Sequence, residues 1–482
     1  MEGEIDKKGI TVSKKADFSE WYTQVVLKAE LADYGPVQGT MAIRPTAYEI
    51  WEKIQDVFNG MIRGTGHRNA YFPLLIPESL LAKEKEHFQG FTAEVFWVTQ
   101  SGNNKLDSKL AVRPTSETIM YSFYSKWIRS WRDLPLLLNQ WCNTLRAEIK
   151  ATKPFIRTSE FLWQEGHTVH ATKEEADKEV RLTLGFYKEL VENYLAIPVI
   201  SGMKSEREKF AGALYTTTIE AMMPDGYALQ SGTSHNLGQN FAKAFEVKFL
   251  NKNGENEYAW QTSWGVSTRL IGALIMVHGD DKGLIIPPKV APTQVIVIPI
   301  YKNAEKNVTV ETTRNYAAML IKAGIRADVD ERDNRTPGWK FNDHEVKGVP
   351  LRIEVGPKEV KEKTALLVRR DTGEKLSVKS STLVQEVGAL LGKIQQNMFD
   401  RAKNLRDEQI TTVEELEQFK KVLKDKKGFI RAGWCGSVEC EDKIKEETGA
   451  AIRVIPFDYE AAKTCVLCGK PAKTYAYFGY AY

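Results

Sequence analysis

The sequence predicts an α+β fold in three parts, 1–286, 287–395 and 396–482. Three observations carry this. In the first part, long helical patterns surround many strand-like runs joined by short turns, as expected of antiparallel sheets covered by helices. At Pro287-Pro288 and Pro292 the pattern changes to short alternating β and α units, the mark of a small mixed α/β domain. From about Gly392 the chain turns charged and helical, then gathers Cys435, Cys440, Cys465 and Cys468. A length of 482 residues accommodates about three domains of ordinary size.

The elements follow in order. Phe18, Trp21, Tyr22, Val25 and Val26 recur at helical spacing, and Ile50, Ile54, Val57, Phe58 and Met61 form one stripe of a helix from about Thr46 to Gly64. Tyr71–Pro77 reads as an edge strand because its prolines cannot donate to a ladder. Val95–Thr99 and Leu110–Arg113 read as paired strands about a turn at Ser101–Asn104, with a helix from about Ser116 to Trp131 after them. Gln140–Ile149 and Phe155–Glu165 read as two strands joined by a basic turn. Thr172 with Glu175 forms a capping box for a helix to about Tyr194. Ala228–Ser231, Ala244–Leu250 and Tyr258–Trp264 read as strands, with an Asn253-Gly254 turn between the last two. A helix over about Ser267–His278 closes the first part. In the second part, strands at Val295–Ile300, Arg326–Val329 and Leu351–Val355 alternate with helices at about Glu311–Ala323 and Gly338–Val346.

Composition narrows the function class. Hydrophobic residues at 42% and charged residues at 27% are those of a soluble globular chain. The longest apolar runs are too short to span a bilayer and the start is charged, so neither a membrane segment nor a secretory signal is expected. That places the chain in a reducing, cytoplasmic compartment. A formal charge of +4 neither demands nor excludes a polyanionic partner. A P-loop, a complete dinucleotide fingerprint and H-E-x-x-H are all absent. His167-x-x-His170 lacks carboxylate or cysteine partners at useful spacing for a metal. Met203-Lys204-Ser205 has the look of a nucleotide-binding lysine loop, a likeness read as chance.

Cys435-x4-Cys440 and Cys465-x2-Cys468 are two close-spaced pairs. Four thiolates complete a tetrahedral zinc site with no open position, hence a structural one. Four buried thiols or a redox C-x-x-C are the blander readings. Arg146 on a strand is a permanent, rigid cation suited to a phosphoryl centre, with Glu148 on the same face. An exposed strand pair with Arg–Glu bridges is the equal alternative. Arg269 stands in the first turn of a helix, where its charge opposes the helix dipole, after Gly265 and before Gly272. Arg113-Pro-Thr-Ser-Glu117 offers hydroxyls and a carboxylate at a helix start, or simply a cap. Gln230-Ser-Gly-Thr-Ser-His235 is a polar run after a strand that lines a pocket or makes a plain loop.

Together these segments resemble the class II aminoacyl-tRNA synthetases, specifically the prolyl-tRNA synthetases of archaeal/eukaryotic type, over essentially the whole chain. Gly66-His-Arg-Asn-Ala-Tyr-Phe-Pro73 is similar to the first class motif, Arg146-x-Glu148 with Arg157-x-x-x-Phe161 to the second, and Gly265-x-x-x-Arg269 with Gly272 to the third. Arg113–Glu117, Gln230–His235, Thr336–Phe341 and Gly348–Arg352 single out the prolyl type, as do the four-cysteine tail and Tyr482. Motifs two and three leave no room for a large editing insertion. Ser267 and Leu145 depart from the family's commoner residues.

The resemblance implies a class II antiparallel-sheet adenylation domain (1–286), an α/β anticodon-binding domain (287–395) and a small zinc-binding C-terminal domain (396–482). It implies ATP, Mg²⁺ and structural Zn²⁺ as cofactors, with L-proline, tRNA(Pro) and a second copy of the chain as partners. ATP would meet Arg146, Glu148, Arg157, Phe161, Gln230, Thr233 and Arg269. Proline would meet Phe91, Thr115, Glu117, Arg146, Trp163, His235 and Ser267. Arg146 and Arg269 would be catalytic. Glu345 and Arg352 would read anticodon bases, and lysines between 420 and 427 would meet tRNA phosphates. The terminal tail Tyr475–Tyr482 packs on the body or brings its carboxylate near the active site. Competing expectations are a threonyl or histidyl relative, or a synthetase-like RNA-binding protein without catalysis.

Overall fold

The computed structural model describes residues 9–87, 94–149, 151–458 and 462–482. It is α+β. An 11-stranded sheet forms its spine, in the order Ile410–Val413, Phe429–Trp434, Thr474–Gly479, Ala451–Pro456, Val199–Met203, Tyr215–Met222, Ala228–Gly238, Trp260–Ser267, Glu160–His170, Leu136–Leu145 and Arg68–Asn69. The six strands from Val199–Met203 to Leu136–Leu145 pair antiparallel in sequence. The sheet therefore continues from the first part of the chain into the cysteine-bearing tail. Its far edge, Arg68–Asn69, pairs in parallel with Leu138–Asn139.

Helices Phe18–Lys28, Pro45–Arg63, Lys173–Glu189 and Arg269–His278 supply the residues that cover one face of this sheet. Their apolar stripes bury Trp21, Val25, Trp51, Ile54, Phe58, Leu184, Tyr187 and Leu274 against Leu229, Trp264 and Val266 of the strands. The Thr172–Glu175 capping box is present. The strand period of two separates the faces: on Glu160–His170, Leu162 packs into this core and Gln164 bonds Tyr187, whereas Phe161, Trp163, Glu165 and His167 line a cavity on the opposite face.

Several elements differ from the sequence reading. The two strands around the basic turn are Leu136–Leu145 and Glu160–His170, so Arg146 lies just past a strand end. Past Leu145 the chain leaves the sheet in a loop that returns at Glu160, closed at its base by Arg146 N donating to Ser159 O at 2.8 Å, and Phe155 within it adopts φ 62°. The helix from 116 stops at Trp127, because Ser130 and Asp133 cap a separate 3-10 turn. Asn240–Phe245, expected in part as strand, is a helix whose Phe241 and Phe245 rings pack on Tyr121. The polar run Gln230–His235 is strand, not loop. Strands Val199–Met203 and Tyr215–Met222 were not expected, since their threonines and glycine hide the apolar pattern.

The segment after Pro292 builds a 5-stranded sheet, Ala327–Val329, Val295–Pro299, Leu351–Val355, Thr364–Arg369 and Lys375–Lys379. The first three strands are parallel and the last two are added antiparallel. Helix Leu383–Glu408 packs Leu383, Val387, Leu391 and Ile394 into the core of this sheet.

Candidate active site

A cavity of about 550 Å³ opens on the sheet face away from the helices. Thr115, Glu117, Arg146, Glu148, Arg157, Phe161, Trp163, Gln230, Thr233, His235, Ser267 and Arg269 all line it. These residues come from four separate stretches of chain. Phe91 lies outside the described residues.

A bulge makes one of these stretches work. Ile219 pairs with Gly232 and Glu220 with Gln230, so Ser231 is the extra residue. The added residue brings Gln230 onto the face that carries Thr233 and His235, which simple alternation would forbid. The third motif works by close approach. At Gly272 a Cβ would sit 2.4 Å from Ile156 Cδ1, so glycine lets helix Arg269–His278 press against the 146–159 loop. Arg269 Nε then donates to Ile156 O at 3.2 Å.

Three arginines thus face one space. Arg146 donates from Nε to Pro114 O at 3.3 Å and lays its guanidinium 5.3 Å from the Phe161 ring centroid and 5.7 Å from that of Trp163. Desolvation and the neighbouring Arg146 lower Arg269 to about 10. Cations held together against their mutual repulsion create a strong positive field, which a polyphosphate relieves on binding. Negative charge lines the same space. Thr115 Oγ1 donates to the Glu117 carboxylate. His235 is pushed down to about 3 by burial, then by His167 and Lys204, so it is a neutral hydrogen-bonding ring; its Nδ1 lies 2.8 Å from Thr216 Oγ1.

Sequence reasoning missed Glu165, His167, Glu208 and Phe210, which also line the cavity. Glu165 sits two residues before His167 on one strand face, so the histidine has the carboxylate neighbour that the sequence reading denied it. His167 Nε2 is 3.0 Å from Glu165 Oε2, and Tyr121 Oη is 3.1 Å from its Nδ1. Glu165 also accepts from Ser116, Gln140 and Cys142. Burial works against both charges, but His167 and these donors outweigh it, and Glu165 falls below its usual range while His167 rises above its own. The strand period was the available signal. His170, an odd number of residues on, turns to the other face and bonds Thr168 Oγ1 at 2.7 Å.

Known proteins agree with this geometry. Residues 96–278 match the tRNA synthetase class II core domain (G, H, P, S and T), residues 294–390 the anticodon binding domain, and residues 416–482 the prolyl-tRNA synthetase C-terminal domain. A proline–tRNA ligase of Cenarchaeum symbiosum is 56% identical over 477 residues, 99% of this chain and 100% of that protein. The chain belongs to the prolyl-tRNA synthetase family. A proline–tRNA ligase of Natranaerobius thermophilus is 54% identical over 94% of this chain and 93% of its own length. The crystal structure of the prolyl-tRNA synthetase of Cryptosporidium parvum, complexed with halofuginone and AMPPNP, superimposes with a TM-score of 0.95 at 45% identity, covering 98% of this chain and 100% of that one. The activity is the attachment of proline to tRNA by a class II synthetase core.

Further features lie away from the cavity. The thiols of Cys435, Cys440, Cys465 and Cys468 all lie within 4.8 Å of one another. Zinc at about 2.3 Å from each of four sulfurs gives tetrahedral edges of about 3.8 Å; Cys468 Sγ to Cys435 Sγ is 3.9 Å. None of the four is disulfide-bonded. In the second domain, Glu345 and Arg352 line a small cleft with His344, Arg369 and Arg370. Arg352 is locked in place: Nε donates to Glu354 Oε1 at 2.9 Å, and its guanidinium lies 4.2 Å from the Phe341 ring centroid. Its remaining NH1 is 4.0 Å from Glu345. Of the lysines between 420 and 427, Lys420 pairs with Glu447 at 2.9 Å, Lys426 donates to Glu408 O and Lys427 to Tyr227 Oη at 3.4 Å, so these three are engaged within the protein. Tail residues Thr474–Gly479 form a strand in the main sheet, and Tyr482 donates to Asp225 beside Lys153 rather than lining the cavity.

Proposed function

We propose that the cavity is the site of prolyl-adenylate formation. The observation that carries this is the lining of the space: Arg157 and Arg269 on the 146–159 loop and the helix pressed against it, Glu117 with Thr115, and Arg146 beside Phe161, Trp163 and Pro114 O. The proline carboxylate attacks the α-phosphorus of ATP, forming a C–O–P bond as the bond to pyrophosphate breaks. The carboxylate is already a nucleophile, so positioning and charge neutralisation suffice without a general base. Arg146 holds the carboxylate and the α-phosphate. Arg269 and Arg157 take the outer phosphates, adenine stacks on Phe161, and Glu148 accepts from its amine. Gln230 and Thr233 hold the ribose side. Mg²⁺, when bound, would be held by the phosphates with Gln230 and would neutralise charge on the phosphate oxygens. Thr115 and Glu117 receive the secondary ammonium, which donates two N–H groups, while Trp163, His235 and Ser267 enclose the ring. In the second step the tRNA terminal adenosine attacks the adenylate carbonyl and AMP leaves.

The tRNA is tRNA(Pro), its anticodon read by Glu345 and Arg352 in domain 287–395. A carboxylate and a guanidinium together complement the edge of guanine. Arg352→Ala is expected to lower kcat/KM for tRNA charging roughly 10- to 100-fold and to leave proline-dependent ATP–pyrophosphate exchange within about twofold. Loss of both activities together, or of neither, contradicts the assignment.

Zn²⁺ in the four-cysteine site is structural and holds domain 396–482, supplying a cross-link rather than chemistry. Chelation with verified zinc loss is expected to lower the melting temperature by several degrees, since structural zinc contributes folding energy directly. Unchanged melting after such removal rules the role out. The enzyme works as a homodimer through the sheet edge at Arg68–Asn69, where Tyr71 is 71% exposed. Its place is the cytoplasm. Among the described residues no helix is long and apolar enough to cross a membrane.

A further inference from the structure

Met203-Lys204-Ser205 sits at the seam between the tail and the catalytic sheet. Strand Val199–Met203 meets Ala451–Pro456 at two pairs, Met203–Ile455 and Gly202–Pro456. A Cβ at Gly202 would lie 2.1 Å from Ile455 O, so glycine permits the closure. Just beyond the seam, charges are held out of water. Lys204 Nζ is 2.6 Å from Glu220 Oε1 and donates to Arg453 O at 3.0 Å. Arg453 reaches Glu220 at 3.4 Å and Glu208 at 3.5 Å, and Lys445 holds the other oxygen of Glu208 at 2.9 Å. The Lys204 and Glu220 side chains are 2% and 0% exposed. Ser205 donates to Glu441 alongside.

This seam runs straight into the cavity wall. Glu208 and Phe210 line the cavity. Lys204 N donates to Thr216 O at 2.9 Å, and Phe210 N donates to Thr216 Oγ1 at 2.9 Å. The same hydroxyl meets His235 Nδ1, and the Phe210 and His235 ring centroids are 4.9 Å apart. A continuous set of contacts therefore joins Arg453, on the tail, to His235.

We propose that Lys204, Glu220 and Arg453 are positioning residues for the proline end of the cavity: through them the tail sets segment 204–210 and so places Phe210 and His235. The inference rests on the assignment of His235 to the proline ring. A buried ion cluster adds little net stability compared with apolar packing, yet it tolerates no sliding, because each displaced charge is left unpaired. It is thus suited to fixing a register between two parts of the chain. The ATP end is shaped by other elements, the 146–159 loop and helix Arg269–His278, and only the opposing charges of Glu220 and Arg453 reach Arg269, so the larger effect falls on proline.

The test uses the full-length enzyme. In ATP–pyrophosphate exchange with proline and ATP varied separately, Arg453→Ala is expected to raise the proline KM about 10- to 100-fold, with kcat and the ATP KM within about threefold. Arg453→Lys recovers most of the loss. Glu208→Gln, which keeps shape but drops the ionic tie, moves the proline KM the same way by less, and decides the matter if Arg453→Ala does not fold. A folded variant with the proline KM unchanged overturns the proposal. So does an equal rise in both KM values with lowered melting, the mark of a merely structural role. Parent enzyme that shows no proline-dependent exchange overturns instead the assignment of function on which the inference rests.

Discussion

Arg146→Ala is expected to lower proline-dependent ATP–pyrophosphate exchange by about 10³-fold, with tRNA binding retained. Arg146 faces both Arg269 and Glu117. It stands past the end of strand Leu136–Leu145, its guanidinium beside the Phe161 and Trp163 rings and its Nε on Pro114 O. Its fixed position means that it stabilises charge as it develops on phosphorus without reorganising. Arg146→Lys keeps the charge but loses the planar, many-donor geometry, and should recover only a small part of the activity. The anticodon cleft is built from another sheet, so filter or gel-shift binding of tRNA measures whether the loss is confined to chemistry. Exchange that survives Arg146→Ala removes the role assigned to it.

Glu117→Gln is expected to reduce kcat/KM for proline about 100-fold while the ATP KM stays within about threefold, since a charge-assisted hydrogen bond contributes roughly 1.5–3 kcal/mol. The carboxylate is buried, at 4% exposure, and is held by the Thr115 hydroxyl. The amide has the same shape, so what is lost is the charge, which faces the ammonium and also His167. Steady-state exchange with each substrate varied in turn separates this from a general loss of folding. An equal change in both KM values contradicts a carboxylate dedicated to proline.

The α+β architecture was legible in the sequence because helix stripes such as Ile50, Ile54 and Phe58 and the Thr172–Glu175 cap are local signals. So were the cavity residues that lie in the motifs, since arginines and glycines at motif spacing carry their chemistry in their type, whereas Glu165, His167, Glu208 and Phe210 were not. What stayed hidden was set by distant contacts. Arg146 belongs to a loop rather than a strand because residues 146–159 close on themselves at Ser159. Gln230 joins the cavity face through a bulge that alternation does not announce. Arg113, within a motif read for its hydroxyls and carboxylate, is buried and ties Phe72 O and Asn143 O together, a role its charge alone would not indicate. Lys204 looked like a chance likeness because its partner Arg453 is far away in the chain.

The most direct measurement is ATP–pyrophosphate exchange by the unaltered enzyme with each amino acid supplied in turn. Exchange driven by proline, and far more weakly by threonine or histidine, is the result expected of this cavity. Exchange driven by threonine or histidine in place of proline, or no exchange from an enzyme that still binds tRNA, would contradict its assignment as the site of prolyl-adenylate formation.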